Sequence, residues 1–378
     1  MKGDNFRIFT AIAILIGFVI GAGFLGIPHV VSKSGFAVGA FYIIFLGVVI
    51  TYLNLAVGEI SLRTKTDHQL TGYCSKYLGK NGRRWMLFSM IFGIYGAVLA
   101  YLFGVGKSLS FIFFGNLNYA LIIGLIIWVV MSFLVSFGLY SLKKVMSYGM
   151  IAMLFLIVLI SFIHFPEINY GNFSGFDAKN MFVPFGVVLF AYLGFSAMPE
   201  IERYLHGRER LMKKSLLYGS LITFIVYFLF TFVMVGVYGK NVPEISTFAL
   251  GRLVAVLGVI TMGTSYLSLS VALRDMYLFD YQTTKKKAWI YTCIAPLILF
   301  LIFNYINFDS FTNIISIGGS ISGGVAAVLI LMMLHKVKRE GSRAPEYKIP
   351  APKWLLVFIG IVFVLGIVYE ILNILRIV

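Results

Sequence analysis

Charged side chains are scarce in this chain of 378 residues. Aspartate, glutamate, lysine and arginine together make up 12% of it, whereas hydrophobic residues make up 60%. A soluble domain typically carries about 25% charged residues, so this composition could not cover a surface exposed to water. The scarcity excludes an ordinary soluble protein and indicates an integral membrane protein whose main partner is the lipid bilayer.

Cysteine and histidine are few, and nucleotide-binding motifs are absent from the sequence. The two cysteines, Cys74 and Cys293, predict no disulfide framework, and the five histidines have no spacing typical of a metal site. No glycine-rich Walker loop occurs, so we do not expect an ATP-driven pump. We also expect that the protein is not an enzyme. The net charge of +16 does not predict nucleic-acid binding, because the basic residues lie in short loops between apolar runs.

Apolar runs recur from end to end, and each approaches the length of about 20 residues that a helix needs to cross a bilayer. The fold class predicted is an all-α integral membrane protein with 11 transmembrane helices. Most basic residues lie on the side of the N-terminus, which predicts a cytoplasmic N-terminus and an outside C-terminus in the plasma membrane. The predicted spans are 7–31, 36–63, 84–114, 118–138, 144–165, 181–205, 212–238, 246–280, 287–306, 310–335 and 353–375.

Two of these runs contain residues that break helices. The stretch from Gly17 to Pro28 holds four glycines and a proline, which cost a helix interior about 1 and about 3 kcal/mol each relative to alanine. Span six contains a second break, from Phe190 to Glu200. The two spans enter the membrane from opposite sides, five spans apart, and such matched breaks are typical of inverted-repeat transporters.

The two breaks resemble the first-helix and sixth-helix signatures of the amino acid–polyamine–organocation superfamily. Gly21 to Pro28 reads Gly-x-Gly-x-Leu-Gly-x-Pro, and Phe190 to Ala197 reads Phe-Ala-Tyr-Leu-Gly-Phe-Ser-Ala. These forms are most similar to the amino acid/auxin and aromatic amino acid permeases. The resemblance implies the leucine-transporter fold with discontinuous helices 1 and 6. Its expected parts are a first inverted repeat at 1–165, a second at 181–336 and a peripheral helix at 350–378.

The resemblance also implies a function. We expect a symporter, driven by Na⁺ or H⁺, that carries small neutral or aromatic amino acids by alternating access. The alternative is an amino acid sensor that keeps the fold without transporting. The oligomeric state stays open.

The first break predicts a site for the substrate carboxylate. The half-helix that follows it begins with unpaired N–H groups and the positive end of a helix dipole, and small residues let a ligand approach. The alternative for these glycines is close helix packing. The second break and a span-three tyrosine are expected to complete the site. The predicted substrate-binding residues are Gly21, Ala22, Gly23, Phe24, Tyr101, Phe190, Tyr192, Gly194 and Phe195.

Span eight carries hydroxyl side chains that suit a small hard cation. On the leucine-transporter pattern, Thr264 and Ser265 fall on the hydroxyl ligands of a sodium site. The carbonyls of Gly17, Ile20 and Thr261 fall on its remaining ligands. The alternative is that these hydroxyls bond back to their own helix turn. Span five has no internal lysine of the kind found in proton-coupled relatives, which favours sodium, although a proton stays possible.

Charged residues near the cytoplasmic ends of spans complete the predicted set. Glu59 lies four residues before Arg63, a spacing that favours an ion pair, with a proton carrier as the alternative. We also predict a cytoplasmic gate between Arg7 and either Asp275 or Asp280.

Overall fold

The computed structural model describes residues 2–252, 254–308 and 310–375, and within those ranges the chain contains helices but no strand. Nine helices of this described part are long and apolar enough to cross a membrane, and a bent pair forms a further span. Ala120–Val135 is apolar but has only 16 residues. The all-helical membrane class is therefore confirmed, whereas the count of eleven spans is not.

The helices follow the predicted runs closely. They are α1 (Lys2–Val19), α2 (Ala22–Ser34), α3 (Phe36–Leu62), α4 (Leu70–Phe114), α5 (Ala120–Val135), α6 (Leu139–His164), α7 (Val183–Tyr192), α8 (Ala197–Tyr204), α9 (Met212–Tyr238), α10 (Ala255–Phe279), α11 (Lys285–Tyr305), α12 (Phe311–Ile317), α13 (Gly324–Glu340) and α14 (Lys353–Ile374), with a π-helical turn (Gly318–Gly323) between α12 and α13.

Both breaks occur where the sequence predicts them. The axes of α1 and α2 differ by 56° at Ile20 and Gly21. The second break separates α7, which ends at Tyr192, from α8, which begins at Ala197. Pro28 lies inside α2 and does not mark its start, so the half-helix begins earlier than Phe24.

Two spans differ in length from their predictions. The predicted span 246–280 is too long, because Ser246–Leu250 is a separate 3₁₀ helix and α10 starts only at Ala255. Gly251, with φ of 91°, lies between them. The predicted span 84–114 is too short, because α4 already begins at Leu70. This longer helix has a kink at Gly79.

The broken helix occupies the centre of the molecule. Every residue from 10 to 28 is buried, although this stretch contains the first break. Helices α3, α4, α6, α9 and α10 contact α1 or α2, and the peripheral helices carry exposed apolar side chains such as Phe133 and Phe162. An exposed apolar exterior is what a bilayer requires, and the buried break is positioned to serve a central site.

Candidate functional site

A small cavity lies where the two broken helices meet α4. Its volume is about 70 Å³, well below the about 300–1,000 Å³ typical of ligand pockets, so the site is contracted. Both breaks contribute to its wall, and four of its side chains are aromatic. The residues that define it are Phe18, Tyr101, Phe190, Leu193, Phe195 and Ser196.

The cavity is also lined by small residues. They are Gly93 and Ala97 of α4 and Ser322 and Gly323 at the end of the π-helical turn. Ser89 donates a hydrogen bond of 2.7 Å to the carbonyl of Ser322, which joins α4 to the π-helical turn. A lining that combines small side chains with aromatic rings can accept a planar ring when the helices separate.

Hydroxyl groups of neighbouring helices hold the first break. Ser265 Oγ of α10 lies 2.9 Å from the carbonyl oxygen of Gly17 and 3.1 Å from that of Ile20. Tyr101 is fully buried and hydrogen bonds to Ser265. A Cβ atom on Gly21 would lie 2.7 Å from Ser265 Oγ and 2.8 Å from the Tyr101 hydroxyl. The absence of a side chain at Gly21 therefore lets α4 and α10 reach the break.

A further tyrosine connects the two breaks. The hydroxyl of Tyr227 in α9 lies 2.9 Å from the carbonyl oxygen of Val19 and 2.7 Å from that of Ala191. Its ring contacts the rings of Phe24 and Tyr192. Tyr227 thus fixes the end of α1 relative to the end of α7. Nothing in its sequence context distinguishes it from the other 21 tyrosines, so sequence reasoning missed it.

The residues predicted to bind an ion lie together, but their hydroxyls play different parts. Ser265 reaches across to the carbonyls of Gly17 and Ile20. Thr264 Oγ1 donates within its own turn, at 2.9 Å from the Ile260 carbonyl and 3.0 Å from that of Thr261. All the candidate ligand atoms of this ion site are neutral oxygens, which suit a hard cation. The Ser265 hydroxyl has one hydrogen, which it shares between the two α1 carbonyls.

The predicted substrate residues divide into two groups. Tyr101, Phe190 and Phe195 line the cavity. The others fill the packing around it, and the predicted close-packing alternative describes Gly23 well. A Cβ atom on Gly23 would lie only 2.5 Å from the Cα atom of Ala191.

The remaining predicted residues lie behind the cavity wall. Phe24 contacts Phe230 at a centroid distance of 4.5 Å, and Ala22 is fully buried at the start of α2. Tyr192 points its hydroxyl towards Gly47 of α3, and Gly194 packs near Val19. Sequence reasoning missed Phe18, Ser196 and the small residues near the π-helical turn. The glycine-rich run from 318 to 324 is the signal that could have found the last of these.

The predicted gate between Arg7 and Asp275 or Asp280 is wrong for this conformation. Asp275 pairs with Arg274 at 2.8 Å and lies 3.6 Å from Arg203. Asp280 accepts hydrogen bonds from the backbone N–H groups of Gln69 and Gly72, at 3.0 and 2.6 Å. It therefore caps the N-terminus of α4, where a carboxylate is favoured by the helix dipole, and is not available to Arg7.

Glu59 forms the predicted ion pair with Arg63, at 2.8 Å, and is fully buried. Its second oxygen accepts a hydrogen bond of 2.7 Å from the backbone N–H of Ile349. Nearby, the Tyr347 hydroxyl donates to the carbonyl of Leu55, and burial raises the pKa of Tyr347 well above its usual value. Glu59 thus anchors the polar segment between α13 and α14 to the end of α3.

The arrangement of these helices is that of a known class of membrane transporter. The crystal structure of a manganese transporter from Eremococcus coleocola superimposes with a TM-score of 0.71, covering 97% of this chain and 86% of that chain. The identity is 11%, so the likeness establishes a shared fold and nothing about the cargo.

The family follows from the sequence. Residues 5–248 match the tryptophan/tyrosine permease family, and the chain belongs to that family. It is 24% identical to tyrosine-specific transport system 1 of Haemophilus influenzae, over 94% of this chain and 93% of the relative. It is also 22% identical to glutamine transporter 2 of Aliivibrio fischeri, over 78% of this chain and 81% of the relative. The protein is a multi-pass membrane permease, and the expected resemblance to amino acid permeases is confirmed.

Proposed function

We propose that this permease is a cation-coupled symporter of aromatic amino acids, with smaller neutral amino acids as secondary substrates. The observation that carries the proposal is the aromatic lining of the central cavity by Phe18, Tyr101, Phe190 and Phe195. Aromatic rings pack favourably against one another in offset or edge-to-face arrangements. A relative named as a tyrosine-specific transport system supports the same substrate class.

The two breaks supply the complementary polar groups. Near the start of α2, the first N–H groups of a helix lack partners within the helix and attract a carboxylate. The carbonyls at the end of α7 can accept hydrogen bonds from an ammonium group. A substrate with both groups on one carbon would bridge the breaks and direct its side chain towards Phe190 and Phe195. The cavity of about 70 Å³ would have to widen, which fits a transporter that alternates between open and closed conformations.

The same proposal includes the predicted topology. Counting the bent pair and the short helix α5 as single spans gives the eleven that the sequence predicts. The repeats at 1–165 and 181–336, the peripheral helix from 350, and a cytoplasmic N-terminus in the plasma membrane remain parts of the proposal. Its support is the position of the breaks in spans one and six and the basic residues near the N-terminal side.

The coupling ion in this proposal is Na⁺ or H⁺. The carbonyls of Gly17 and Ile20 and the hydroxyls of Thr264 and Ser265 would hold sodium, where it would stabilise the first break. These residues would keep the same positions in a proton-coupled transporter, with the Ser265 hydroxyl taking the place of the ion.

The test is uptake of labelled tyrosine, tryptophan and glutamine into proteoliposomes, with sodium and pH gradients imposed separately. We expect accumulation of the aromatic substrates above that of glutamine under at least one gradient, and none in protein-free vesicles. Saturable binding without uptake under either gradient would favour the sensor alternative. Failure to bind or carry any of the three would contradict the proposal.

A matched pair of variants tests the location of the site. Phe195→Ala removes a ring from the cavity wall, and truncating a buried aromatic anchor typically weakens binding by about 2 kcal/mol, or more than tenfold. Phe162→Ala removes a ring that is 79% exposed on the lipid face of α6 and should leave the KM for tyrosine unchanged. Equal KM values for the two variants would indicate that the substrate binds elsewhere.

A further inference from the structure

A buried acidic residue lies in the peripheral helix α14. Most of this helix faces outwards with apolar side chains such as Val364 and Leu365, whereas Glu370 is only 3% exposed. Glu370 is turned towards α12 and the π-helical turn, where Oε2 accepts hydrogen bonds from Ser316 of α12 at 2.9 Å and from Ser320 of the turn at 3.1 Å. The carboxyl group thus lies inside the protein within a membrane-spanning helix.

No cation compensates this carboxyl group in the described part of the chain. The elements packed most closely against α14 are α13, the π-helical turn and α7, and α12, which has no titratable residue, reaches Glu370 through Ser316. Titratable groups of α13 lie at its far end, from His335 to Glu340, and the π-helical turn has none. Helix α7 contributes only Tyr192, which faces α3. The near titratable neighbour is Tyr369 of the same helix, which in turn lies near Tyr42 of α3.

An uncompensated negative charge in this position is expensive, so a membrane protein retains such a residue for a function. Two serine hydroxyls can pair with the Glu370 side chain whether it is a carboxylate or a carboxylic acid. Each hydroxyl can donate to a carboxylate or accept from a carboxylic acid by rotating its hydrogen. Ser316 and Ser320 therefore provide hydrogen-bond partners for Glu370 Oε2 both before and after the carboxyl group loses its proton.

The same serines contact the half-helix that precedes the second break. A Cβ atom on Gly186 of α7 would lie 2.2 Å from Ser316 Oγ and 2.6 Å from Ser320 Oγ. Similarly, a Cβ atom on Gly319 would lie 2.6 Å from that of Phe190, which lines the central cavity. A π-helical turn is rare and is frequently found at functional sites. Contact therefore runs from Glu370 through the π-helical turn to the substrate cavity.

We propose that Glu370 is a proton-binding site whose protonation is coupled to movement of α7 during transport. The proposal rests on the proposed amino acid transport and adds the residue that binds the coupling proton. In the protonated state the carboxyl group is neutral and holds the two serines weakly, so that they pack on Gly186 of α7. Loss of the proton leaves a negative charge that strengthens both hydrogen bonds from Ser316 and Ser320 and shifts these serines away from Gly186.

The test compares Glu370→Gln, which mimics the protonated carboxyl group, with Glu340→Gln, which alters an exposed acid at the end of α13. If one proton accompanies each substrate, a gradient of one pH unit drives about tenfold accumulation of tyrosine in the wild type. Glu370→Gln should lose this accumulation while still exchanging internal for external tyrosine. Glu340→Gln should retain both activities.

Infrared titration of the purified protein gives a readout that does not depend on transport. We expect a protonated carboxyl band in the wild type that disappears in Glu370→Gln and shifts its pH midpoint in Ser316→Ala with Ser320→Ala. The serine variant also serves if Glu370→Gln does not fold. The proposal is overturned if Glu370→Gln keeps pH-driven accumulation, or if no band titrates. If the band titrates but the wild type carries no amino acid, the proposed function fails while the proton site stands.

Discussion

The two helix breaks are held in different ways. At the first break, side chains of other helices bind the free carbonyls, with Ser265 on Gly17 and Ile20 and Tyr227 on Val19. At the second break Tyr227 holds only the Ala191 carbonyl, and the residues that follow pair with one another. The N–H of Ala197 donates to the Gly194 carbonyl at 2.9 Å, and that of Met198 donates to the Phe195 carbonyl at 3.3 Å.

This difference suggests that the two breaks have different roles during transport. A break tied to α9 and α10 through buried hydrogen bonds is a fixed point, because each bond that is lost leaves a buried polar group unpaired. A break that satisfies itself by local turns can change shape without such a cost. The second break also contributes Leu193, Phe195 and Ser196 to the cavity wall. We therefore expect the first break to set the architecture and the second to move with substrate.

Gly23→Ala should have the largest effect, because it tests the contact on which both breaks depend. The added methyl group would lie 2.5 Å from the Cα atom of Ala191, and backbone cannot yield as a flexible side chain does. Overpacking of this kind costs about 1–3 kcal/mol, and more where the neighbour is rigid. We expect a lower melting temperature in detergent, a lower yield of folded protein and loss of uptake.

The matched control is Gly3→Ala, because nothing lies within 4 Å of a Cβ atom at that position. It should leave both stability and uptake unchanged. If Gly23→Ala melts like the wild type but fails to bind substrate, then Gly23 serves the ligand and not the packing.

Ser265→Ala should have the next largest effect. The N–H of Gly21 donates to the Val19 carbonyl, so Ser265 is the partner that the Gly17 carbonyl retains near the break. Leaving buried acceptors unpaired costs about 1–3 kcal/mol each, which corresponds to a tenfold or greater loss of uptake. Ser268→Ala is the control, because its hydroxyl donates within its own turn, to the carbonyl of Thr264. Similar uptake by the two variants would show that the first break is not fixed by α10.

Tyr227→Phe should have a smaller effect, because one of its two acceptor carbonyls keeps a backbone N–H donor. The Val19 carbonyl keeps the N–H of Gly21 at 3.0 Å, whereas the Ala191 carbonyl is left without the hydroxyl. The expected loss is about 1 kcal/mol of stability and a several-fold lower uptake rate. Tyr148→Phe, at an exposed position of α6, should match the wild type. A Tyr227→Phe protein with unchanged melting and uptake would show that the breaks are not held together through α9.

The sequence was sufficient to predict both breaks because glycine and proline act locally. Gly17 to Pro28 and Phe190 to Glu200 contain breakers that a membrane helix would otherwise avoid, and both positions are confirmed. The start of span eight was mispredicted for the opposite reason, since Ser246–Leu250 is apolar but packs as a separate turn. Hydropathy alone does not distinguish a buried loop from the continuation of a span.

The partners of individual side chains could not be predicted in the same way. Asp280 was predicted to form a gate, yet it caps α4. The sequence could not indicate this contact, because Asp280 and the start of α4 lie more than two hundred residues apart in the chain. Tyr227 and Glu370 also owe their roles to distant residues. The positions of the breaks depend on local backbone geometry and could be predicted, whereas the side-chain contacts around them depend on tertiary structure and could not.

Thr264→Ala should have the smallest effect and is the sharpest test of the ion site. The Thr264 hydroxyl donates only within its own turn, to carbonyls of Ile260 and Thr261. Removing such a hydroxyl leaves no carbonyl of the first break unpaired, so stability should change by less than about 0.5 kcal/mol and uptake by less than twofold. Uptake should be measured over a range of sodium concentrations, alongside Ser265→Ala. If Thr264→Ala instead needs much more sodium for half-maximal uptake, Thr264 is an ion ligand and the first break is fixed by sodium as well as by Ser265. A small effect that is the same at every sodium concentration would leave the Ser265 hydroxyl as the group that closes the break, consistent with coupling to a proton bound elsewhere.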